Sequence, residues 1–260
     1  MKTALTIAGS DCSGGSSIQA DIKTMLAHGV YGMSAITALT AQNTTGVHGI
    51  MQVTPEFLEA QLDAVLSDIK PDATKVGMVA NSELISVISR KLQEYEVQNL
   101  VVDLVMVSAS GVELIDEEGI DTLSEELLQL ADVITPSLPE AEVLADMDVE
   151  SREDMVTAAK KLRSLYGCSV VIKGGHELTE GEDLLYTEAG AIWLPGAALP
   201  ERNPHGLGCT FSSAITSNLA KGLPLEEAVR EAIDYVEKAM NCRFHPGKGM
   251  SVMPHCPAAE

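Results

Sequence analysis

Basic residues are scarce in this chain: 17 lysines and arginines stand against 38 aspartates and glutamates, a formal charge of −21 over 260 residues. A field of that sign repels nucleic acid and anionic lipid at long range, so neither is expected as a partner. Any phosphorylated ligand must then be held by local lysines, backbone amides or a metal ion acting against the overall field. Paired cysteines are lacking too. The five present, Cys12, Cys168, Cys209, Cys242 and Cys256, are odd in number and include no CxxC spacing. That argues against a disulfide framework or a zinc site and predicts a reducing, cytoplasmic location. No apolar run reaches membrane-spanning length, and the first, 4–8, ends in Gly9-Ser10-Asp11, so it is expected to belong to the fold rather than to a leader. Repeats, low-complexity tracts and Pro/Ser-rich linkers are missing, and 1–260 reads as one domain near the upper size of an α/β core.

What is present is a 45% hydrophobic composition with mean hydropathy +0.12, enough for a sizeable core. Residues 3–8 read as a buried strand, followed by a glycine-rich loop and a helix over 18–28 that Gly29 stops. A strand at 33–39 leads to a helix over 55–67, with Thr54 as cap and Pro55 in its first turn. A strand at 72–79 leads to a helix over 82–95 capped by Asn81. Apolar runs at 99–107 and 132–135 flank an acidic helical stretch, 117–130. Ser151 opens a helix over 152–166, Gly167 closes it, and a strand follows at 168–175. This alternation predicts a three-layer α/β/α fold with a mostly parallel sheet. One small antiparallel hairpin is expected around Glu188-Ala189-Gly190, near Trp193, and two helices, 208–221 and 225–240, complete the core.

Neither GxGxxG nor GxxxxGK[ST] occurs, which removes the dinucleotide fingerprint and the P-loop. Taken alone, the glycine-rich loop 9–17 is an ordinary βα connection as readily as a ligand contact. The stretch 203–210, NPHGLGCT, is more specific. Gly206 and Gly208 let backbone amides converge at the positive end of a helix, which favours an anion there. Cys209 at the same terminus has its thiolate favoured by the dipole, giving a usable base near neutral pH; the alternative is a buried, inert thiol. Lys173 in KGGH and Glu140 in TPSLPE each follow a strand, at the carboxyl edge where open α/β sheets bind ligands. Glu140 is placed to hold a hydrated Mg²⁺ against phosphate oxygens, and Asp103 ends the VVD run beside them. Singly, these are a solvated rim lysine and a surface helix carboxylate. Their agreement on one predicted edge is what joins them into a site.

Several longer motifs occur in order: LTIAGSDxSGGxxIQADIKT at 5–24, ITALTAQNTTGV at 36–47, KVGM at 75–78, VVDxVMVxxSG at 101–111, ITPxLPEAEVL at 134–144, VIKGGH at 171–176 and HGxGCTxSSAI at 205–215. Over nearly its whole length the chain thereby resembles the hydroxymethylpyrimidine/phosphomethylpyrimidine kinases of thiamine biosynthesis, in the ribokinase-like superfamily. The resemblance implies ATP- and Mg²⁺-dependent phosphorylation of 4-amino-5-hydroxymethyl-2-methylpyrimidine and of its monophosphate. It implies a pyrimidine lying over Gly9, read by Asp21 and Gln42 and packed on by Met78 and Val105. Cys209 would be the general base, and the amides of 206–209 would stabilise the transferred phosphoryl group. Lys173 would contact the nucleotide phosphates, with Ser137 beside them and Lys248 as a late lysine nearby, and Asp103 and Glu140 would be the Mg²⁺-associated carboxylates. A homodimer would be ordinary for such a fold.

Six positions depart from the family pattern: Cys12, Ser17, Leu104, Ser137, Pro204 and Leu207. Ser17 stands where glycine is usual and is expected to strain the first loop or crowd the acceptor. Ser137 is shorter than the usual asparagine, and Leu207 puts an apolar branch in place of a hydroxyl. Two alternatives follow. One is a pyridoxine or pyridoxal kinase, whose substrate is also a flat heterocycle with a hydroxymethyl arm, although Gln42 and the IQAD stretch favour the pyrimidine. The other is a binding-only relative with weak or no turnover.

Overall fold

The computed structural model describes residues 1–107, 114–174, 176–179, 181–196 and 204–255. Nine strands form one sheet in the order β3-β2-β1-β4-β5-β6-β7-β8-β9. They are β1 (Thr3–Asp11), β2 (Tyr31–Asn43), β3 (Gly46–Gln52), β4 (Ala73–Val76), β5 (Leu100–Val102), β6 (Val133–Ile134), β7 (Ser169–Ile172), β8 (Asp183–Thr187) and β9 (Gly190–Leu194). From β2 through β1, β4, β5 and β6 to β7 every pairing is parallel. Antiparallel partners flank this block: β3 beside β2, and the expected β8–β9 hairpin beside β7.

The central strands β5 and β6 are apolar throughout because both their faces are covered, and the alternation along such strands shows which layer each residue joins. On β5, Leu100 and Val102 enter one apolar cluster while Val101 enters the other; on β7, Val170 and Ile172 part from Val171 in the same way. The first cluster takes side chains from α2 (Pro55–Leu66), α3 (Ser82–Glu94), α5 (Leu138–Ala145) and α6 (Arg152–Tyr166). The second takes them from α8 (Leu207–Ala220) and α9 (Leu225–Asn241), and α1 (Ser17–Ala27) adds Met25 on that same side with Ala220. The three layers are thus helix, sheet and helix, as the alternation predicts.

The expected caps form: the side chains of Thr54, Asn81 and Ser151 accept from the backbone N–H groups of Phe57, Leu84 and Asp154. Three local features differ from expectation. β2 runs on to Asn43 and turns into β3, an edge strand whose residues are mostly exposed. The stretch 117–130 is not one helix; α4 (Glu117–Thr122) widens into a π-turn at Leu123–Leu127 and tightens into a 3₁₀ turn at Leu128–Leu130, which keeps Leu123, Leu127 and Leu128 all buried. α5 and the single turn α7 (His176–Thr179) are additional helices. Among the described residues no helix is long and apolar enough to cross a membrane. Cys168 is buried and Cys12 and Cys242 are exposed; Cys256 lies outside the described residues.

Candidate active site

Parallel strands all end on one edge, and the segments leaving β1, β2, β4, β5, β6 and β7 gather there around the first turns of α1, α5 and α8. The lowest layer is a buried charge network. Lys75 on β4 has no exposed side-chain surface and lies 2.7 Å from Asp21 and 3.7 Å from Asp103. Asp21 also accepts from the hydroxyls of Thr6 and Ser213, each at 2.6 Å. This corrects the expectation that Asp21 reads a pyrimidine. Its position on α1 turns it inward toward β4 and α8, where a buried lysine needs a countercharge, and both its oxygens are engaged. Asp103, just past β5, accepts from Thr135 (3.1 Å) and Ser212 (2.9 Å) and lies 3.5 Å from Lys173. Burial works to raise the Asp103 pKa, but Lys173 and Lys75 with the two hydroxyls outweigh it and hold the carboxyl below its usual range. For Lys173 burial is likewise overcome, by Asp103 and Glu140, and the ammonium is held above its ordinary value. Its side chain is 24% exposed, so a charged group of this network reaches the surface of the edge.

Above this layer α8 begins at Gly206, whose φ of +87° belongs to the left-handed region. The glycine is required twice over, since any Cβ at 206 would also overlap the carbonyl oxygen of Gly15. Cys209, half-buried, lies in the first turn of α8. Burial pushes the thiol up to about 11, with Asp21 and Asp103 adding to the effect and Lys75 opposing it. The helix terminus is thus outweighed, chiefly by burial, and the thiol lies above its ordinary range rather than near neutral as the sequence suggests.

Ser17 itself has φ +52°, a left-handed conformation for a residue with a side chain. The expected strain is thus located in its backbone, at a cost of roughly 1–2 kcal/mol. Ser17→Gly is expected to raise stability by about 1 kcal/mol, or about 2–4 °C in melting temperature for a chain of this size. The Ser17 hydroxyl also stands 3.7 Å from where a Cβ on Gly9 would be, so the variant should change KM for the acceptor and leave KM for ATP as it is. A lower melting temperature in Ser17→Gly would refute the strain.

Toward β2 lie the expected acceptor residues. Gly9 faces Met78, whose sulfur would be 3.2 Å from a Cβ there, and Met78 packs in a small cluster with Ala38, Leu114 and Val105. The Gln42 side-chain amide approaches Nε2 of His205 at 3.0 Å, and the Cys12 thiol donates to the Gln42 carbonyl at 3.1 Å. On the other side of Cys209, Ser137 is the N-cap of α5 and its backbone N–H donates to Glu140 at 2.7 Å. Serine and asparagine serve this position about equally, which accounts for one departure. Leu207 packs against the apolar cluster under α8 and α9, and Leu104 is buried in the opposite core, so their branches are absorbed by packing. Lys248 is exposed on a loop whose neighbours Gly249 and Met250 donate to Thr44 at the β2–β3 turn. The loop is thus anchored on the β2–β3 turn.

Three residues with large roles in this geometry are not among the expected site residues. Asp11 is wholly buried and accepts from the N–H and hydroxyl of Ser13, from Gly15 N–H, and from the N–H and hydroxyl of Ser16. His205 places Nε2 2.9 Å from the same carboxylate. Burial opposes the Asp11 charge, but His205 and Ser13 outweigh it and hold the carboxyl well below its ordinary range. Lys75 is the third, and a lysine inside an apolar strand run was the signal for it.

A sheet covered on both faces, with a lysine, buried carboxylates, and a glycine-led helix terminus carrying a cysteine at its carboxyl edge, defines the class of ribokinase-like small-molecule phosphotransferases. The phosphomethylpyrimidine kinase family model matches residues 11–254, and the chain belongs to that family. It is 42% identical over 254 residues to a hydroxymethylpyrimidine/phosphomethylpyrimidine kinase of Bacillus subtilis, covering 97% of this chain and 94% of that one. It is 45% identical over 257 residues to a thiamine biosynthesis bifunctional protein of Geobacter sulfurreducens, covering 98% of this chain but only 52% of that longer protein. Among solved structures, phosphomethylpyrimidine kinase of Clostridium difficile superposes with a TM-score of 0.83 at 41% identity, covering 92% of this chain and all of that one. The ADP complex of Bacillus subtilis pyridoxal kinase superposes at 0.90 with 36% identity, covering 99% of this chain and 98% of that one.

Proposed function

We propose that this chain transfers the terminal phosphoryl group of ATP to the hydroxymethyl arm of 4-amino-5-hydroxymethyl-2-methylpyrimidine, and then phosphorylates the resulting monophosphate. The observation that supports this reading is the start of α8, where Cys209 follows Gly208, from which a Cβ would lie 3.6 Å from the Lys173 ammonium, while Gly9 lies against Met78 and the Ser17 hydroxyl. The flat heterocycle lies over Gly9 against Met78 and Val105, and Gln42 reads its polar edge. Cys209, as its thiolate, takes the proton of the acceptor hydroxyl; the Lys75 charge and the helix terminus are the groups that favour that form. Lys173 binds the nucleotide phosphates. The amides of 206–209, fixed by the helix, stabilise charge on the transferred group without reorganising.

Two carboxylates, Asp103 and Glu140, are the metal-facing donors, and no group of three or more potential ligands exists among the described residues. That donor set fits a Mg²⁺ that arrives on the nucleotide and keeps most of its waters, rather than one held in a protein cage. Bound there, the ion neutralises phosphate charge. Glu140 is the nearer candidate to hold it, since Asp103 is already saturated by Lys173, Lys75, Ser212 and Thr135.

Pyridoxal phosphorylation is the second reading, and the likeness to pyridoxal kinase structures over the full chain favours keeping it. Coupled measurement of ADP release with each heterocycle separates the readings. Turnover with the pyrimidine at a kcat/KM well above that with pyridoxal is expected; the reverse order would transfer the assignment. Ligand-induced stabilisation without any ADP release would leave the binding-only alternative.

A homodimer in the cytoplasm completes the reading. Leu39, Ile50, Met51 and Phe57 are all exposed, and the first three lie on paired β2 and β3. An apolar edge of that kind suits pairing with a second copy. Sedimentation should give a species of twice 27.5 kDa, and a monomer at micromolar concentration would rule the dimer out.

A further inference from the structure

Two loops far apart in the chain are tied into a closed ring next to Cys209. From Asp11 the first loop runs to Gly15, which packs against Gly206. From Gly206 the chain steps back to His205, whose ring returns to Asp11 at 2.9 Å. Inside the ring the two backbones touch. A Cβ on Gly15 would lie 2.6 Å from the His205 ring, and one on Gly206 would overlap Gly15. His205 is held from outside as well: its backbone N–H donates to the carbonyl of Ser251 at 2.8 Å.

We propose that Asp11 and His205 are positioning residues for phosphoryl transfer: their buried pair locks the first loop onto the start of α8, so that Cys209 and the amides of 206–209 keep their aim. Asp11 suits this task because its other donors all come from residues 13–16, so the carboxylate shapes the loop and the histidine fastens that shape to α8. Neither residue needs to touch the reacting atoms. Both act through where they place the sulfur and the amides, and a displacement of about 1 Å in such groups is enough to slow chemistry by roughly a hundredfold. The effect belongs in kcat, because groups aimed at the transferring phosphoryl contribute mainly in the transition state.

The test is steady-state kinetics with melting temperatures for His205→Leu, His205→Gln, His205→Asn, Asp11→Ala and the Asp11→Ala/His205→Leu double variant. His205→Leu should lower kcat roughly 10- to 100-fold with KM for ATP within about threefold of the parent. Glutamine, which can carry an N–H to Asp11, should recover most of the rate, while the shorter asparagine should not. The double variant should be no slower than Asp11→Ala alone, since both break one ring. A kcat for His205→Leu within twofold of the parent, a glutamine variant as slow as the asparagine one, or multiplying effects in the double variant would each overturn the proposal. If the leucine variant does not fold, the glutamine and asparagine pair decides it. The proposal rests on the reading of Cys209 as the base, and Cys209→Ser assayed alongside keeps the failures apart. An unimpaired Cys209→Ser removes that reading, whereas a slow Cys209→Ser beside an unimpaired His205→Leu removes only the positioning role.

Discussion

Cys209→Ser should lower kcat by roughly two to four orders of magnitude, the range for loss of a general base, while the protein still folds and binds the pyrimidine. A hydroxyl at this position keeps the shape of the side chain but is far harder to ionise in this buried place above Asp21 and Asp103. ADP release and ligand-induced stabilisation, measured on the same preparation, check both halves. Unchanged kcat would place the base elsewhere. Alkylation resolved by peptide should further show half-buried Cys209 reacting faster than Cys168, which burial also pushes up to about 11 and which is only 3% exposed. Pyrimidine should protect Cys209 and leave Cys168 as it was.

Lys75→Met is expected to give the largest loss of stability of any single change in the site. Removing the lysine strands Asp21 and leaves Asp103 with Lys173 alone, and breaking a buried ion pair from one side costs about 3–5 kcal/mol. For a chain of this length that is a drop of roughly 6–20 °C in melting temperature. Adding Asp21→Asn should recover part of it, because the amide still accepts from Thr6 or Ser213 and no charge is stranded. Thermal unfolding of the two variants decides the matter, and a drop of less than about 2 °C in Lys75→Met would mean that the network carries little net stability. Asp103 is held below its ordinary value of 3.8, so its share of the stability is present above about pH 4 and is lost on acidification.

Most of the layers can be read from residue patterns because local chemistry specifies them. Thr54-Pro55, Asn81 and Ser151 mark helix starts wherever they occur, and Gly167 at φ +72° marks a stop. β3 escapes such reading because GVHGIMQ has no apolar alternation; it pairs on one side only and keeps most of its residues in water. The break within 117–130 escapes it for another reason. Leu123–Leu130 contains no glycine or proline, so nothing local announces the wider and tighter turns that follow α4. In the site, the glycines, Cys209, Lys173 and Glu140 are visible through their motifs. The direction of Asp21 and the anchorage of Lys248 depend on partners from distant segments, Ser213 and Lys75 for the one and Thr44 for the other. The Cys209 titration depends on the charge layer beneath it, which no local pattern around the cysteine announces.

The ring that Asp11 closes with His205 joins positions 194 residues apart, and Asp21 meets Ser213 across 192. Such pairings are the costliest to reach during folding, since most of the chain must already be arranged before their partners can meet. During synthesis the first four strands and their helices are available for collapse long before α8 leaves the ribosome. Until then Asp21 lacks its hydroxyl partner from α8, Ser213, and the glycine-rich loop lacks its fastening. A chain of this design therefore acquires catalytic competence in its last folding step, and partly folded species contribute exposed sheet surface but no turnover.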